Sequence, residues 1–540
     1  MSREPAHARR IAGVTIPLFS LRSPRSWGIG EIADLPELAA WLREAGVRLV
    51  QLLPLGEISG GETSPYSALT AFGIDPMYIA LEGLPDLGGD VEKAVGGAAG
   101  ALLLERARGA RTVDYAAVRA LKRQALRFAF ERFAAEEIGK KSPRAAEFAA
   151  FREQNKEWVD DYALFRALKD AHGGVAWWEW GEKLAHRDGG ALAAAQREHE
   201  HAIQFYAYAQ WLAHTQWQEA RGHLKEMGVE IMGDLPFMVG RDSADVWSHQ
   251  SEFRDDASVG VPGDQFNAEG QDWGLPPYNW ETMRENDFAW LRRRARYTGS
   301  LYDRFRIDHL VGFYRTYTRK LDALRGEDGK LTKGTFDPAE EEAQLAHGER
   351  VIGAMIEGAR ENGATLVAED LGVVPDFVRA SLAKLTVPGY KVLIWEKDYK
   401  QDEKPFLDPT AYPEVSVACF GTHDTDSVVV WWEGLGEEER EAVKRIPALA
   451  AHADKLGPEF TPDVHRALFD LLNAAGSGLV LFLIQDLLGA RERVNTPATM
   501  GPENWALRLP APVEDLRHDE DLGRKLGLAR ASIDASGRGG

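Results

Sequence analysis

Asp308 closes the segment FRID, Glu369 closes VAE with Asp370 behind it, and Asp424 closes FGTHD. Each ends a run of apolar and β-branched residues of strand length, and in a barrel of alternating strands and helices that end of the strands is where catalytic groups collect. A single acid there caps a helix or closes a structural ion pair equally well; three on separate candidate strands point to one shared site. Two carboxyl groups facing each other across a short gap are the equipment of glycoside cleavage, in which one attacks or activates water and the other protonates the leaving oxygen. The first must be ionised and the second protonated, so their surroundings must differ. Arg306, two residues before Asp308, points to the same side of its strand by the two-residue period and can hold that carboxylate ionised. An ion pair internal to a barrel accounts for the same spacing, and the two readings are compatible. Glu369 has a like charge beside it in Asp370, which favours the protonated form and makes it the candidate acid. Asp234 in GDLPF and Asp426 fit the same rim.

The elements that must position these acids are eight candidate strands separated by helical stretches: GVTIPL (13–18), VRLVQLLPL (47–55), VEIMGDLPF (229–237), YDRFRIDHL (302–310), TLVAEDLG (365–372), YKVLIWE (390–396), VSVACFGTHD (415–424) and GLVLFLIQDLL (478–488). Their apolar character runs on without strict alternation, as in strands buried on both faces. DLPELAAWLREAG, ERVIGAMIEGARENG and PDFVRASLAKL read as helices between them. Strand and helix alternating eight times predict a (β/α)8 barrel. The barrel would start in 1–90 and continue through 229–510, with a mainly helical insertion over 91–228 that is rich in Ala, Glu, Arg and Leu. A second insertion, 240–300, is dense in Gly, Pro and aromatic residues and predicts ordered loops near a site. Within it Gly260, Pro262, Gly263 and Trp273 mark a segment that is either a lid or a rigid wall. Residues 511–540 form a C-terminal segment whose last residues, DASGRGG, are expected to be mobile.

Composition narrows the partners. Over 540 residues the formal net charge is −20, which disfavours nucleic acid or an anionic membrane as the main ligand. The single cysteine, Cys419, excludes an intrachain disulfide and a cysteine-based zinc site and points to a reducing compartment. The basic start MSREPAHARRIAG is not followed by an apolar stretch of signal-peptide type, and the run Leu479 to Ile484 is too short to span a bilayer, so a cytoplasmic protein is expected. Sixteen Trp, 14 Tyr and 22 Phe suit sugar stacking, but core packing is their first use. GIGEIA, with Gly28, Gly30 and Ala33, meets a relaxed dinucleotide pattern, yet the polar segment RSPRS separates it from the first strand, whereas a dinucleotide turn follows its strand directly. It reads as a βα-loop with glycine turns. The HEH at 199–201 lies in the helical insertion and reads as solvated rather than metal-binding.

FRIDHLVGFYR, VAEDLGVVP and FGTHDTDS, in this order, resemble the signature regions of the 4-α-glucanotransferases known as amylomaltases or disproportionating enzymes, relatives of the α-amylases. LVQLLPLGEISGGETSPYSALTAFGIDP, DYALFRALKDAHGG, MGDLPFMVGRDSADVW, EGQDWGLPPYNW and RVNTPATMGPENWALRL extend the resemblance to about Leu509. It implies a (β/α)8 barrel with insertions and without a separate C-terminal antiparallel β-domain. It also implies Asp308 as nucleophile forming a β-glycosyl enzyme, Glu369 as general acid/base, and Asp424 as the third acid, which binds sugar hydroxyls and stabilises the transition state. Arg306 and His423 would stand beside them, with Asp234, Trp273 and Gln271 binding substrate in the donor subsites or their loop. Tyr66 would be an acceptor-side or secondary contact, and Asn495 a polar contact late in the barrel. The implied reaction moves segments of maltooligosaccharides and longer 1,4-α-glucans to glucose or glucan acceptors by a retaining double displacement, with no cofactor and no metal. An α-glucan hydrolase using the same carboxylates, or a catalytically silent glucan-binding protein, are the alternatives. This sequence departs from the common pattern at YKVLIWEKD, where many members carry a run like KVLQFAF, and at SGGETSPY, which lacks a tyrosine often found before the aromatic. The tryptophan and Glu396 in the first of these segments are expected to shift product-length preference.

Overall fold

The computed structural model describes residues 10–263, 267–497, 499 and 501–539. Twelve strands are present among them: β1 (Ile11–Thr15), β2 (Leu49–Gln51), β3 (Glu230–Leu235), β4 (Ala257–Val261), β5 (Gln271–Leu275), β6 (Arg304–Ile307), β7 (Thr316–Lys320), β8 (Thr335–Asp337), β9 (Thr365–Ala368), β10 (Gly389–Val392), β11 (Ser416–Cys419) and β12 (Leu479–Leu483). Eight of them close a barrel in the order β1-β12-β11-β10-β9-β6-β3-β2, and every pair around it is parallel. The (β/α)8 architecture expected from the sequence is therefore the observed one, on the expected eight segments.

The strands are shorter than their apolar runs, and each run stops for a local reason. After Gln51 the chain reaches Pro54, which has no N–H to continue a ladder. Beyond Val392 it tightens into a 3-10 turn, Leu393–Trp395. The run at 478–488 changes into the helix Ile484–Leu488, where Asp486 accepts hydrogen bonds from the Leu483 and Val428 N–H groups at 3.2 and 2.8 Å. FGTHD is not strand to its end: β11 stops at Cys419, and His423 and Asp424 follow in a turn in which the Thr425 N–H donates to the Thr422 carbonyl at 3.0 Å.

Inside the barrel, Ile11, Leu49, Met232, Val367, Val417 and Leu479 pack in one apolar cluster that includes Cys419. Two residues further along several of these strands the period returns to the same side, and there the residues are polar: Gln51 on β2, Asp234 on β3 and, paired with it in register, Arg306 on β6. Thr15 donates to the Gln51 carbonyl oxygen at 2.7 Å, and the Gln51 amide donates to the Tyr390 hydroxyl at 3.3 Å. The filled barrel thus ends in a hydrogen-bonded polar floor at the C-terminal ends of its strands.

Between β2 and β3 the chain is mainly helical from Val91 onward, ending in the long helix Glu200–Glu226. Several helices of this insertion hold the segment that follows β2. Arg119 donates to the Glu62 carbonyl at 2.6 Å, Tyr162 donates to the Glu57 carboxylate at 2.5 Å with Arg166 paired to the same group at 3.1 Å, and Gln210 donates to the Ile74 carbonyl at 2.8 Å. Tyr66 lies inside the stretch held this way.

Two expectations are corrected. The segment 240–300 is not loop alone: β4 and β5 join β7 and β8 in an antiparallel sheet of order β5-β4-β7-β8. Half of that sheet comes from beyond β6, so its pairing is non-local and leaves no contiguous pattern in the sequence. Asp264, Gln265 and Phe266, within the segment expected as lid or wall, lie outside the described residues, as do residues 1–9, Ala498 and Met500. The C-terminal segment is docked, not mobile, over its described part. After the helix Glu520–Ala535, Arg538 is fully buried and donates to the carbonyls of Asn473, Ala475 and Ser477 at 3.0, 2.6 and 2.8 Å. The side chain satisfies carbonyls left open between the helix Pro462–Asn473 and β12, a partner that composition does not reveal.

Aromatic residues serve mainly as core: Trp27, Trp41, Trp217, Trp247, Trp290 and Trp432 are fully buried, while Trp178 and Trp395 are half exposed. Among the described residues no helix is long and apolar enough to cross a membrane. The glycines of GIGEIA have a packing role. A β-carbon at Gly30 would sit 1.9 Å from the Leu18 carbonyl oxygen and 2.7 Å from Leu21, with backbone on one side that cannot yield. Gly30→Ala is expected to cost about 3 kcal/mol through overpacking, read as a lower midpoint in denaturant unfolding. An unchanged midpoint would contradict this packing role.

Candidate active site

Arg306 is the centre of the polar floor. Its Nη1 donates to Asp234 Oδ2 at 2.6 Å and to the Tyr66 hydroxyl at 3.3 Å, and its Nη2 donates to Asp308 Oδ1 at 2.7 Å. Burial works against its charge, but the carboxylate of Asp234, the phenol of Tyr66 and the carboxylate of Asp308 outweigh it and hold the guanidinium more firmly protonated than usual. Asp234 is completely enclosed, and its carboxyl is pushed up by burial while Arg306 pulls it down. Tyr66 donates to Asp234 Oδ2 at 2.7 Å; burial raises its phenol above the ordinary range, so the hydroxyl keeps its proton.

Asp308 follows β6 directly, and its side chain is 28% exposed. The strand-side spacing that suggested contact between Arg306 and Asp308 is realised, and Asp234 shares the same guanidinium.

Glu369 follows β9 directly. Its Oε2 accepts from the backbone N–H of His309 at 2.7 Å, and its carboxyl is pushed up to about 8. Burial is the leading cause; Arg306 opposes it, and Asp308 adds a nearby like charge. The like charge expected from Asp370 contributes least. That carboxylate turns away to accept from the Tyr390 N–H at 2.7 Å, with Arg379 at 3.8 Å. Adjacent residues point to opposite sides of extended backbone, so a sequence neighbour is a weaker electrostatic partner than a residue on the next strand.

His309 donates that N–H from a left-handed conformation, with φ of 42°, uncommon for a residue with a side chain and a cost of order 1–3 kcal/mol that the surroundings must sustain. Its ring stands edge-on to Trp273, centroids 4.9 Å apart at 86°, and against Phe237 at 5.4 Å. Burial lowers its imidazole to about 4, so it is neutral. Trp273 therefore reaches the site through His309. Gln271 lies exposed on β5, where it accepts from the Trp273 indole N–H at 3.0 Å, and it makes no described contact with the three acids.

On the opposite rim Asp424 accepts from Asn495 Nδ2 at 2.6 Å and has His423 Nε2 at 3.4 Å. His423 also lies 3.2 Å from the Tyr66 hydroxyl and stacks on its ring with centroids 5.5 Å apart. Trp505 packs against both rings. Asp426 is exposed and paired with Arg493 at 2.9 Å, while Arg493 donates to the Asp424 carbonyl at 2.6 Å. Asp308, Glu369, Asp424, Arg306, His423, Asp234, Tyr66 and Asn495 thus form one connected group, with Trp273 one residue removed. Arg493, Trp505, Tyr390 and the backbone of His309 complete it without having been singled out in the sequence. Tyr390 and His309 lie inside expected strand segments and Arg493 and Trp505 inside RVNTPATMGPENWALRL, but nothing in those segments set them apart from their neighbours.

A cleft of about 980 Å³ opens above this group, lined by Arg306, Glu369, Asp424, Tyr390, Trp395 and Tyr399 among others. The arrangement holds one carboxylate against a guanidinium and, on the wall of the cleft, a second carboxyl in its protonated form at neutral pH.

A family profile described as 4-alpha-glucanotransferase matches residues 16–514. The 4-alpha-glucanotransferase of Thermus thermophilus is 33% identical, covering 93% of this chain and 95% of that protein. That of Chlamydia pneumoniae is 29% identical over 93% and 92%. Among solved structures, the amylomaltase from Streptococcus agalactiae in complex with acarbose superposes with a TM-score of 0.80 at 27% identity, covering 98% of this chain and 100% of that one.

Proposed function

Since this chain belongs to the 4-alpha-glucanotransferase family, we propose that Asp308, Glu369 and Asp424 carry its transfer reaction, acting on maltooligosaccharides and longer 1,4-α-glucans. In the first step the Asp308 carboxylate attacks the anomeric carbon, the bond from that carbon to the leaving 4-oxygen breaks, and Glu369 gives its proton to that oxygen. In the second step Glu369, now ionised, takes the proton of the acceptor 4-hydroxyl as that oxygen displaces Asp308 from the anomeric carbon. The observation that carries the assignment is the contrast between the two carboxyls: Asp308 bound by Arg306 Nη2 at 2.7 Å, Glu369 pushed up to about 8. Asp424, fixed by Asn495 and His423, is placed to bind sugar hydroxyls and to oppose the positive charge that develops at the anomeric carbon. Arg306 and Tyr66 orient rather than react.

One glycosidic bond replaces another, so bond energy is nearly conserved and the outcome depends on acceptor binding against the far higher concentration of water. We read residues 91–228 as a bracing insertion on a single catalytic barrel, supported by the contacts from Arg119, Tyr162 and Arg166 to the segment that carries Tyr66. We infer a cytoplasmic setting, in keeping with a single thiol, Cys419, buried inside the barrel.

The test is incubation of the purified protein with maltotriose, following the oligosaccharide ladder and total reducing ends together. A ladder plus glucose at constant reducing ends is the expected result. Rising reducing ends with only shorter products would overturn transfer in favour of hydrolysis.

A further inference from the structure

Resting on the role of Glu369 given above, we propose that Arg319 is a positioning residue for the transfer reaction, holding β5 so that Trp273 seats against His309 and the His309 N–H stays aimed at Glu369. Arg319 lies on β7, outside the barrel and two strands away from β5 in the sheet β5-β4-β7-β8.

β5 needs such a hold. It is an edge strand, paired with β4 alone, and none of its five residues is buried. Its ladder to β4 also shifts register between Val259 and Gly260, and a bulge of this kind disrupts the pairing locally. Neither core packing nor an unbroken ladder fixes where Trp273 points.

Arg319 supplies the missing ties. It is 3% exposed and donates to four backbone carbonyls: Nη1 to Gln271 at 2.6 Å, Nη2 to Val261 and Glu269 at 3.2 Å each, and Nε to Thr332 at 2.7 Å. A buried cation is costly unless its donors are met. Here the end of β4, the start of β5 and the residue before it meet them, so the guanidinium reaches past β4 and binds both stems at once. The backbone makes room for it: a β-carbon at Gly260 would sit 2.0 Å from the Gln271 carbonyl oxygen and 2.9 Å from Arg319 Nη1.

Gln271 passes the hold on to the site. Its carbonyl is bound by Arg319, and its side chain accepts from the Trp273 indole N–H at 3.0 Å. Trp273 stands edge-on to His309 at 4.9 Å, and His309 in turn gives its N–H to Glu369 Oε2 at 2.7 Å from a φ of 42°. A left-handed backbone persists only where its surroundings over-determine it, and the rings of Trp273 and Phe237 pack against this one. Loss of the hold acts on Glu369 in a definite direction. Its carboxyl is faced by Arg306, Asp308 and Asp370, and the His309 N–H favours the ionised form. Without that N–H the carboxyl rises further and loses the contact that orients it.

The experiment is a double-mutant cycle in the full chain, with Arg319→Gln, Trp273→Ala and the two combined, assayed for transfer from maltotriose and for stability by denaturant unfolding. Each single variant is expected to lower kcat about 10²-fold, the order for a catalytic group misplaced by about 1 Å, with KM within about threefold. The combined variant should lose little more than either alone, because both act through one contact. The alkaline limb of kcat/KM in Arg319→Gln should move to higher pH. A purely structural role lowers the unfolding midpoint, leaves the limb in place and gives losses that multiply, to about 10⁴-fold in the combined variant; a stationary limb or multiplying losses would overturn the proposal. Arg319→Lys serves where Arg319→Gln does not fold. An ammonium is a point charge that cannot span carbonyls on both stems, so the same loss, limb shift and coupling are expected, and full activity in this variant would also overturn the proposal. If the unsubstituted protein makes no ladder from maltotriose, or its alkaline limb survives in Glu369→Gln, the reading of Glu369 fails instead, whereas the cycle reports on Arg319.

Discussion

Asp308→Asn should lower kcat/KM for transfer from maltotriose by about 10⁵-fold, close to 7 kcal/mol of barrier at about 1.36 kcal/mol per decade. An amide oxygen cannot form the glycosyl ester that divides the reaction into two accessible steps. Asp234 is completely enclosed, and the Asp424 carboxylate is held by Asn495. The fold should survive the change, because the asparagine carbonyl can still accept from Arg306 Nη2, which now donates to Asp308 Oδ1 at 2.7 Å. Glucose release from maltotriose measures the loss, and an unfolding midpoint near that of the unsubstituted protein shows that the loss is chemical. A variant retaining more than about one hundredth of the activity would remove Asp308 from the nucleophile's position.

For Glu369→Gln the expected loss on maltotriose is about 10³-fold, within the usual range for a general acid. Two further readouts separate this role from simple disruption. A maltosyl fluoride leaves without protonation, so the first step should persist in the variant while the second, which needs the base, lags. The protein should then accumulate a maltosyl ester on Asp308, visible as an added maltosyl unit in the intact mass. The second readout is the pH profile. Glu369 must be protonated to donate, and its carboxyl is pushed up to about 8 by burial and by Asp308, so kcat/KM of the unsubstituted protein should fall as pH rises through about 8. In the variant nothing titrates at that position and the alkaline limb should vanish. A limb that remains near pH 8 belongs to another group and would dismiss Glu369 as the acid.

The route from sequence to site was direct where the governing interaction is local. Strands buried on both faces read as continuous apolar runs, which is why all eight barrel segments could be picked out, although their ends could not. Where an apolar run continues past the last ladder bond, as at Leu393–Trp395 or Ile484–Leu488, hydrophobicity alone does not distinguish strand from turn or helix. The pairing of Arg306 with Asp308 followed from the two-residue period along one strand. The raised carboxyl of Glu369 was legible in direction, but burial and then Asp308 are larger causes than the adjacent Asp370.

Strand patterning and long motifs, written within a few residues of one another, were enough for the barrel and the family, and side-chain direction along a strand was enough to propose the three acids as one group. Tertiary structure decided the rest. It set the sharing of Arg306 between Asp234 and Asp308, the N–H that His309 lends to Glu369, the antiparallel sheet of β5-β4-β7-β8 and the anchoring of Arg538. Each of these joins groups from separate elements, and burial, which sets the protonation of Glu369, is a property of the whole enclosure rather than of any segment of chain.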